Sequence, residues 1–178
     1  TYSIVVIMSM GEVIFEQTYL SEYGTVPVTL EGSGSAMVSV YVNGTLVDEE
    51  FCEEMRRVGN LSLSISLEGF EEVNDLRRGA GVFDKVMHTM DLLKKHGQIF
   101  GTSICYTSKN IETVTSDEFL DMIIKKGCRF TWYFHYMPVG NDAAPELMPT
   151  REQREYMYHR VREIRGMSGG KPIFAMDF

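Results

Sequence analysis

Short apolar runs alternate with segments of helical periodicity along most of the chain, and few folds accommodate this alternation. Residues 37–42 form a strand pattern, and the helical pattern that follows is capped by Asp48, carries Phe51, Met55 and Val58 on one face, and ends at Gly59. Further strand patterns cover residues 61–67, 99–106, 129–136 and 171–178. Strands separated by long crossovers pair in parallel. The sequence therefore predicts an α/β fold, either an open doubly wound sheet or an arc of a (β/α) barrel.

The remaining helices are predicted from their ends. The pattern from Val82 stops at Gly97, whereas residues 68–81 contain glycines and predict a loop. Two capping boxes, in which a Thr hydroxyl and a Glu or Gln side chain bond reciprocally with the first turn, mark two more helix starts. They pair Thr115 with Glu118 and Thr150 with Gln153.

Residues 1–36 follow the alternation less closely. Residues 2–8 form a strand pattern, and the weak helical pattern of residues 15–30 is interrupted by Pro27. Residues 31–36 read EGSGSA, the composition of a flexible connector, natural or engineered.

Charge and cysteine usage exclude several classes of function. Seventeen basic and 25 acidic residues give a net charge of -8, which disfavours nucleic acid and anionic membranes as partners. The chain lacks an apolar run of about 20 residues and a secretory signal, so we predict a cytoplasmic protein. Cys52, Cys105 and Cys128 lie far apart and are odd in number, which is typical of reduced thiols in a core.

Ligands of parallel α/β folds gather where the strands end. The residues after the predicted strands are Ser9, Gly11 and Glu12; Asn43, Gly44 and Thr45; Ser66, Glu68 and Gly69; Thr107, Ser108 and Asn110; and Tyr136, Met137 and Pro138. This set contains no metal-ligand cluster. It suits a zwitterionic small molecule, because carboxylates bind ammonium, arginine binds carboxylate, and backbone amides bind ribose or base edges.

Each of these residues also has an ordinary structural explanation. Asn43-Gly44 is a strong hairpin signal, so a hairpin and a binding turn both remain open. Glu12 and Glu68 are typical of solvated loop acids, and Arg77-Arg78 of a surface pair. No phosphate-binding loop, dinucleotide fingerprint or Ser/His/Asp arrangement is present in the sequence.

Three segments of the sequence contain many of these residues: VYVNGTLVDEEF, SISLEGFEEVNDLRRGAGVF and YMPVG. Together they resemble the radical S-adenosylmethionine enzymes, in particular the branch with cysteine-rich C-terminal extensions that acts on peptides and proteins. The resemblance implies a partial TIM-like (β/α) barrel with parallel strands and alternating helices. Residues 1–36 would form the second-strand unit with the irregular Gly/Ser connector, and residues 37–178 the remaining (β/α) units.

The resemblance also implies S-adenosylmethionine as a cofactor. Met10-Gly11-Glu12-Val13 stands where the family's Gly-Gly-Glu-Pro motif contacts the amino group, although Met10 and Val13 depart from that motif. Ser66 would face the ribose or the methionine, and Arg78 would pair with the methionine carboxylate. The adenine would lie against residues 136–138. The implied cofactor-binding set is Gly11, Glu12, Asn43, Ser66, Glu68, Arg78, Tyr136, Met137 and Pro138.

The family's [4Fe-4S] cluster is held by a CxxxCxxC triplet, and the 178 residues contain none. The three cysteines fall on separate predicted elements, so we predict that this chain does not ligate the cluster and does not cleave S-adenosylmethionine reductively. The family's enzymes start hydrogen abstraction on a peptide or small substrate. One alternative is a non-catalytic scaffold fragment, engineered or degenerate; another is an ordinary barrel or flavodoxin-like domain that binds a different small molecule.

The resemblance also has a consequence for assembly. A barrel that starts at its second strand leaves an open edge beside residues 2–8, and open strand edges pair. We therefore expect either a dimer through that edge or a covering segment from residues 14–36.

Overall fold

The computed structural model describes residues 2–9, 12–20, 37–140, 143–166 and 169–178, and only the backbone of residues 2–20. Its sheet has seven strands in the order β2-β1-β3-β4-β5-β6-β7. The strands are β1 (Tyr2–Ser9), β2 (Glu12–Leu20), β3 (Met37–Val42), β4 (Leu61–Ser66), β5 (Phe100–Tyr106), β6 (Phe130–His135) and β7 (Phe174–Asp177). Strands β3 to β7 are parallel, which confirms the predicted α/β class.

Helices fill the crossovers between the parallel strands. They are α1 (Glu49–Val58), α2 (Glu71–Arg78), α3 (Val82–Lys95), α4 (Ile111–Thr115), α5 (Asp117–Lys126) and α6 (Arg151–Ile164), with a 3-10 helix at Pro145–Leu147. Within the described residues, no helix has the length and apolar character needed to cross a membrane.

Several predicted helix ends are confirmed. The Asp48 carboxylate accepts a hydrogen bond from the Phe51 N–H at 2.8 Å, and α1 ends at Gly59 with φ 74°. The capping box of Thr150 and Gln153 is present in full at the start of α6. These signals are read correctly because they depend on residues within one turn of each other.

The predicted loop at residues 68–81 is wrong, because it contains α2. This helix has no side-chain cap at Phe70, and Asn74 is its single buried residue among those described. A helix without an apolar stripe leaves no periodic signal in the sequence. Its position depends instead on polar contacts with other parts of the chain.

Two local predictions are off by one residue. Helix α5 is capped by Ser116, whose hydroxyl accepts from the Phe119 N–H at 3.2 Å, while Thr115 closes α4 by donating to the Ile111 carbonyl. On α1 the predicted burial of Met55 is confirmed, but Cys52 is buried in place of Phe51, and Val58 is exposed.

The first strand departs from the parallel prediction. Strand β1 is antiparallel to both β2 and β3, and only two residues separate Ser9 from its partner Glu12. A connection of two residues joins antiparallel strands and cannot make a parallel crossover. Strand β2 covers the edge of β1, so the covering segment replaces the predicted open edge. The domain boundary at residue 36 stays a prediction, and the connector at residues 31–36 lies outside the described residues.

The sheet curls away from its helices. The rings of Tyr41 on β3 and Phe134 on β6 make an edge contact with centroids 6.0 Å apart. In a flat sheet, strands three places apart are separated by roughly 14 Å. The face opposite the helices is therefore concave, as expected for part of a barrel. The main core lies on the other, helix-covered face, where Leu63, Ile65 and Ile104 are completely buried.

Candidate functional site

The carboxyl ends of β3 to β6 bring most of the predicted site residues to one edge of the sheet. Asn43, Ser66, Glu68 and residues 136–138 all stand at this carboxyl edge because their strands are parallel. Glu12 does not. Met8 of β1 pairs with Met37, the first residue of β3, so Glu12 lies at the opposite edge, about 20 Å away along the strand.

The backbone of Glu12 therefore lies away from the edge at which the sequence pattern places ligands, and a binding role for Glu12 stays a prediction. The physical reason is the antiparallel direction of β1, which periodicity alone does not reveal. Gly11 lies outside the described residues. A binding role for Glu12 at the carboxyl edge would require a different path for the first strand.

Asn43 and Gly44 lie in the connection from β3 to α1, so the predicted hairpin is wrong, and the binding turn stays a prediction. The Asn43 side-chain oxygen accepts from the N–H and the hydroxyl of Thr45, each at 3.2 Å. Gly44 has φ 73°, and a Cβ there would lie 2.9 Å from the Ile65 side chain. The backbone can therefore pass close to β4 only with glycine at this position.

Glu68 forms the centre of a charged cluster with two arginines, and its side chain is 0% exposed. Arg77 donates from Nη1 to Oε2 at 3.0 Å, and Arg78 donates from Nε to Oε1 at 3.1 Å and again from Nη2. The solvated-acid explanation of Glu68 is therefore wrong, and Arg77 and Arg78 are not a simple surface pair. We call these three residues the Glu68 cluster.

Hydrogen bonds hold the backbone of Glu68 on both sides. Its N–H donates to the buried Asn74 side chain at 3.1 Å, and its carbonyl accepts from the buried Asn110 side chain at 3.0 Å. Asn110 also accepts from the Thr107 N–H at 2.7 Å. The loop after β4 is thereby tied to α2 and to the loop after β5.

The Arg77 guanidinium also reaches the end of β5, where it donates to the Cys105 carbonyl at 3.3 Å. Burial alone would lower the pKa of Arg77, but Glu68 and the Cys105 contact outweigh it and raise the pKa. Arg77 is therefore charged at any physiological pH.

Asp75 fixes the helix that carries both arginines. Its carboxylate accepts from the Phe83 N–H at 2.8 Å and from the Gly81 N–H at the start of α3. These bonds, the one from Phe83 first, hold the pKa of Asp75 below its usual value. The end of α2 is thus attached to the first turn of α3.

The loop after β6 supplies the other predicted contacts. The Tyr136 N–H donates to the Tyr106 carbonyl at 2.8 Å, and the Tyr136 hydroxyl accepts from the Ala144 N–H at 3.0 Å. Met137 is exposed, and Pro138 is half-buried beside it. The Tyr136 side chain therefore braces its own loop, and the exposed apolar surface comes from Met137.

The concave face has a polar half and an aromatic half, neither of which is among the features predicted from the sequence. Strands β4 and β5 present serines to it, and the buried Ser64 hydroxyl has no hydrogen-bond partner in the part of the chain that the structure describes. Strands β6 and β7 and the residue after β7 present aromatic rings, including Phe134 stacked on Phe178 at 5.0 Å and 10°. The members are Ser62, Ser64, Ser66 and Ser103, and Phe130, Trp132, Phe134, Phe174 and Phe178. The alternation of Phe130, Trp132 and Phe134 is the signal that could have revealed this face.

The cysteines do not fit an iron-sulfur cluster. Cys52 on α1, Cys105 on β5 and Cys128 before β6 are free thiols on separate elements. Burial raises the pKa of Cys128 to about 12, and burial followed by the charges of Glu49 and Asp48 raises the pKa of Cys52, so thiolate ligands are disfavoured. Among the described residues, no group of three His, Cys, Asp or Glu side chains could hold a metal ion.

Comparison with known proteins gives the family. The profile of the Radical SAM superfamily matches residues 5–123. The chain belongs to the radical SAM superfamily. Among curated proteins it is similar to the AdoMet-dependent heme synthase of Methanosarcina barkeri, with 27% identity over 90% of this chain and 46% of the relative. The Fe-coproporphyrin III synthase of the same organism shares 24% identity over 78% of this chain and 36% of its own length. The chain thus spans between about a third and a half of these relatives.

Solved structures agree on the fold. The structure of anSMEcpe with bound AdoMet aligns with a TM-score of 0.62 at 18% identity, over 77% of this chain and 37% of that one. Streptococcus suis SuiB bound to S-adenosylmethionine aligns with a TM-score of 0.59 at 14% identity, over 79% and 32%. The predicted partial barrel is therefore confirmed as radical SAM-like.

Proposed function

We propose that the carboxyl edge of this radical SAM domain binds S-adenosylmethionine. Ser66 and Arg78 lie toward its methionine end, Asn43 borders the site from β3, and residues 136–138 lie against the adenine. The observation that carries the proposal is the Glu68 cluster, in which two guanidinium groups share one carboxylate. Solved structures of this fold that hold bound AdoMet support the choice of ligand.

The charge of the cluster suits an amino-acid carboxylate. Arg77 and Arg78 carry two positive charges against the single charge of Glu68, so one positive charge remains in a chain whose net charge is -8. Guanidinium groups bind carboxylates through paired, charge-assisted hydrogen bonds. A single carboxylate placed beside Arg78 would complete the cluster without leaving an unpaired charge.

The loop after β6 provides a surface of the right kind for a purine. Met137 exposes 62% of its surface, and the half-buried Pro138 lies beside it. The thioether of methionine is polarizable and packs well on aromatic rings. The Tyr136 hydroxyl accepts from the Ala144 N–H and so links the start of this loop to the segment that precedes α6.

The concave face would receive the molecule on which the enzyme acts, a peptide or another small substrate. It lies next to the carboxyl edge and combines serine hydroxyls with exposed rings, of which Phe174 is 46% and Phe178 is 51% exposed. Solved structures of this fold include anSMEcpe with bound AdoMet and Cp18Cys peptide, and SuiB bound to the precursor peptide SuiA. S-adenosylmethionine supplies the adenosyl group from which hydrogen abstraction starts in this family, while these side chains bind and orient the substrate.

A second candidate, a scaffold that binds no cofactor, is favoured by the poor fit of the three cysteines to a cluster. The two candidates agree that the 178 residues alone release no 5′-deoxyadenosine after anaerobic reconstitution with iron and sulfide. Appearance of that product would contradict both.

Calorimetric titration with S-adenosylmethionine distinguishes the candidates. We expect saturable one-to-one binding by the wild-type chain and a loss of roughly tenfold or more in affinity for Arg78→Gln, since a hydrogen bond to a charged group contributes about 1.5–3 kcal/mol. The matched control is Arg57→Gln, which removes an exposed arginine paired with Glu54 on α1. Absence of binding by the wild type would leave the scaffold candidate.

A further inference from the structure

We infer that Glu68 is a positioning residue that holds Arg77 and Arg78 together as one receptor for a carboxylate, and that it does not contact the cofactor. The inference rests on the proposed function, that the carboxyl edge binds S-adenosylmethionine. Glu68 would then support the two arginines instead of contacting the cofactor, and Arg77 would join the site.

The surroundings of Glu68 leave no free surface for a ligand. Its side chain is 0% exposed, and each carboxylate oxygen already accepts from an arginine. Its backbone N–H and carbonyl are occupied by Asn74 and Asn110. A ligand could reach this carboxylate only by displacing a guanidinium.

The arginines, in contrast, keep free donors. Arg78 uses Nε and Nη2 toward Glu68, and Nη1 makes no hydrogen bond within the described residues. Arg77 uses Nη1 for both Glu68 and the Cys105 carbonyl, and its Nε and Nη2 have no hydrogen-bond partner in the part of the chain that the structure describes. Their side chains are 42% and 26% exposed for Arg77 and Arg78, respectively. The two side chains can therefore donate to a carboxylate while Glu68 holds them from behind.

Glu68→Gln should have two opposite effects on the affinity for S-adenosylmethionine, so the direction of the measured change tests the positioning role. Glu68→Gln removes a negative charge that repels the incoming carboxylate, and this effect alone would tighten binding. It also releases two like-charged side chains, which repel each other and regain rotamer freedom that binding must then remove. A positioning role predicts that the second effect is larger.

The test compares S-adenosylmethionine with decarboxylated S-adenosylmethionine, which lacks the group that the arginines would receive. We expect Glu68→Gln and Arg77→Gln each to weaken binding of S-adenosylmethionine roughly ten- to hundredfold and to change binding of the decarboxylated compound less than about threefold. Glu68→Asp should recover part of the loss. Unchanged or tighter binding by a folded Glu68→Gln variant, or equal weakening of both compounds, would overturn the inference.

The Arg78 side-chain Nε–H signal in nuclear magnetic resonance spectra gives a readout without ligand. In the wild-type chain the Arg78 signal should exchange slowly with water, because Nε donates to the buried carboxylate. It should broaden in Glu68→Gln and, if that variant does not fold, shift in Glu68→Asp. A wild-type chain that shows the slow signal but binds no S-adenosylmethionine would refute the proposed function and leave the support of the arginines established. A fast Arg78 signal in the wild type would refute the positioning role itself.

Discussion

The two faces of the curved sheet differ sharply in what covers them. On the helix-covered face, Leu63, Ile65 and Ile104 are completely buried under α1 to α6. On the concave face, serines stand beside rings that reach 46% exposure at Phe174 and 51% at Phe178. One set of strands therefore carries two functions, because successive residues of a strand point to opposite faces. Stability is concentrated on the first face, and surface for a ligand is kept on the second.

The largest expected effect is on the helix-covered face. Leu63→Ala should lower the free energy of unfolding by about 2–5 kcal/mol, because it removes buried methyl groups and leaves a cavity. The control on the concave face is Phe174→Ala. Because the ring of Phe174 is half-exposed, its removal should lower the free energy of unfolding by less than about 2 kcal/mol. Urea unfolding measures both, and equal losses would contradict the division of roles between the faces.

A smaller effect is expected where the concave face is tightly packed. A Cβ on Gly101 of β5 would lie 2.1 Å from the Phe130 carbonyl oxygen and 2.4 Å from its ring. Gly101→Ala should therefore cost roughly 1–3 kcal/mol through displacement of β6. Ser103→Ala, two residues along the same strand, is the matched control and should cost less. If thermal melts show no difference between the two variants, the close approach of β5 and β6 at this point is wrong.

The pH dependence of Asp75 should give the smallest effect. Its pKa is lowered in the folded chain, chiefly by the Phe83 N–H, so the stabilisation is complete above the unfolded pKa of about 4 and is lost as the pH falls through the lower folded pKa. Above about pH 4 the wild-type chain should have a larger free energy of unfolding than Asp75→Asn, and this difference should disappear as the pH falls below about 4. Denaturation at several pH values tests this, and an advantage that stays constant with pH would argue against a charged Asp75 at the end of α2.

The sequence predicted the features that depend on neighbouring residues. Strands β3 to β7 follow from apolar runs, and Asp48, Gly59, Thr150 and Gln153 mark helix ends through contacts within one turn. The same local reasoning fails for α2, which has no apolar stripe to detect. It also fails for the direction of β1, because a strand pattern is the same in either direction.

The candidate site is only partly predictable, because some of its contacts join residues that are far apart in the sequence. Ser66, Asn43 and residues 136–138 are at the carboxyl edge because parallel strands end together, which the alternation already implied. Glu68 resembled a solvated loop acid because its partners, Arg77 and Arg78, are nine and ten residues away on a helix that was read as a loop. Its burial becomes evident only when α2 is placed against the loop after β5.

Hydrogen-deuterium exchange with and without S-adenosylmethionine tests the central claim most directly, because it compares the two edges of the sheet in one measurement. Binding at the carboxyl edge should slow exchange at residues 66–81 and 136–140 and leave residues 12–20 unchanged. Slower exchange at residues 12–20 without an effect at residues 66–81 would place the ligand at the opposite edge and contradict the claim.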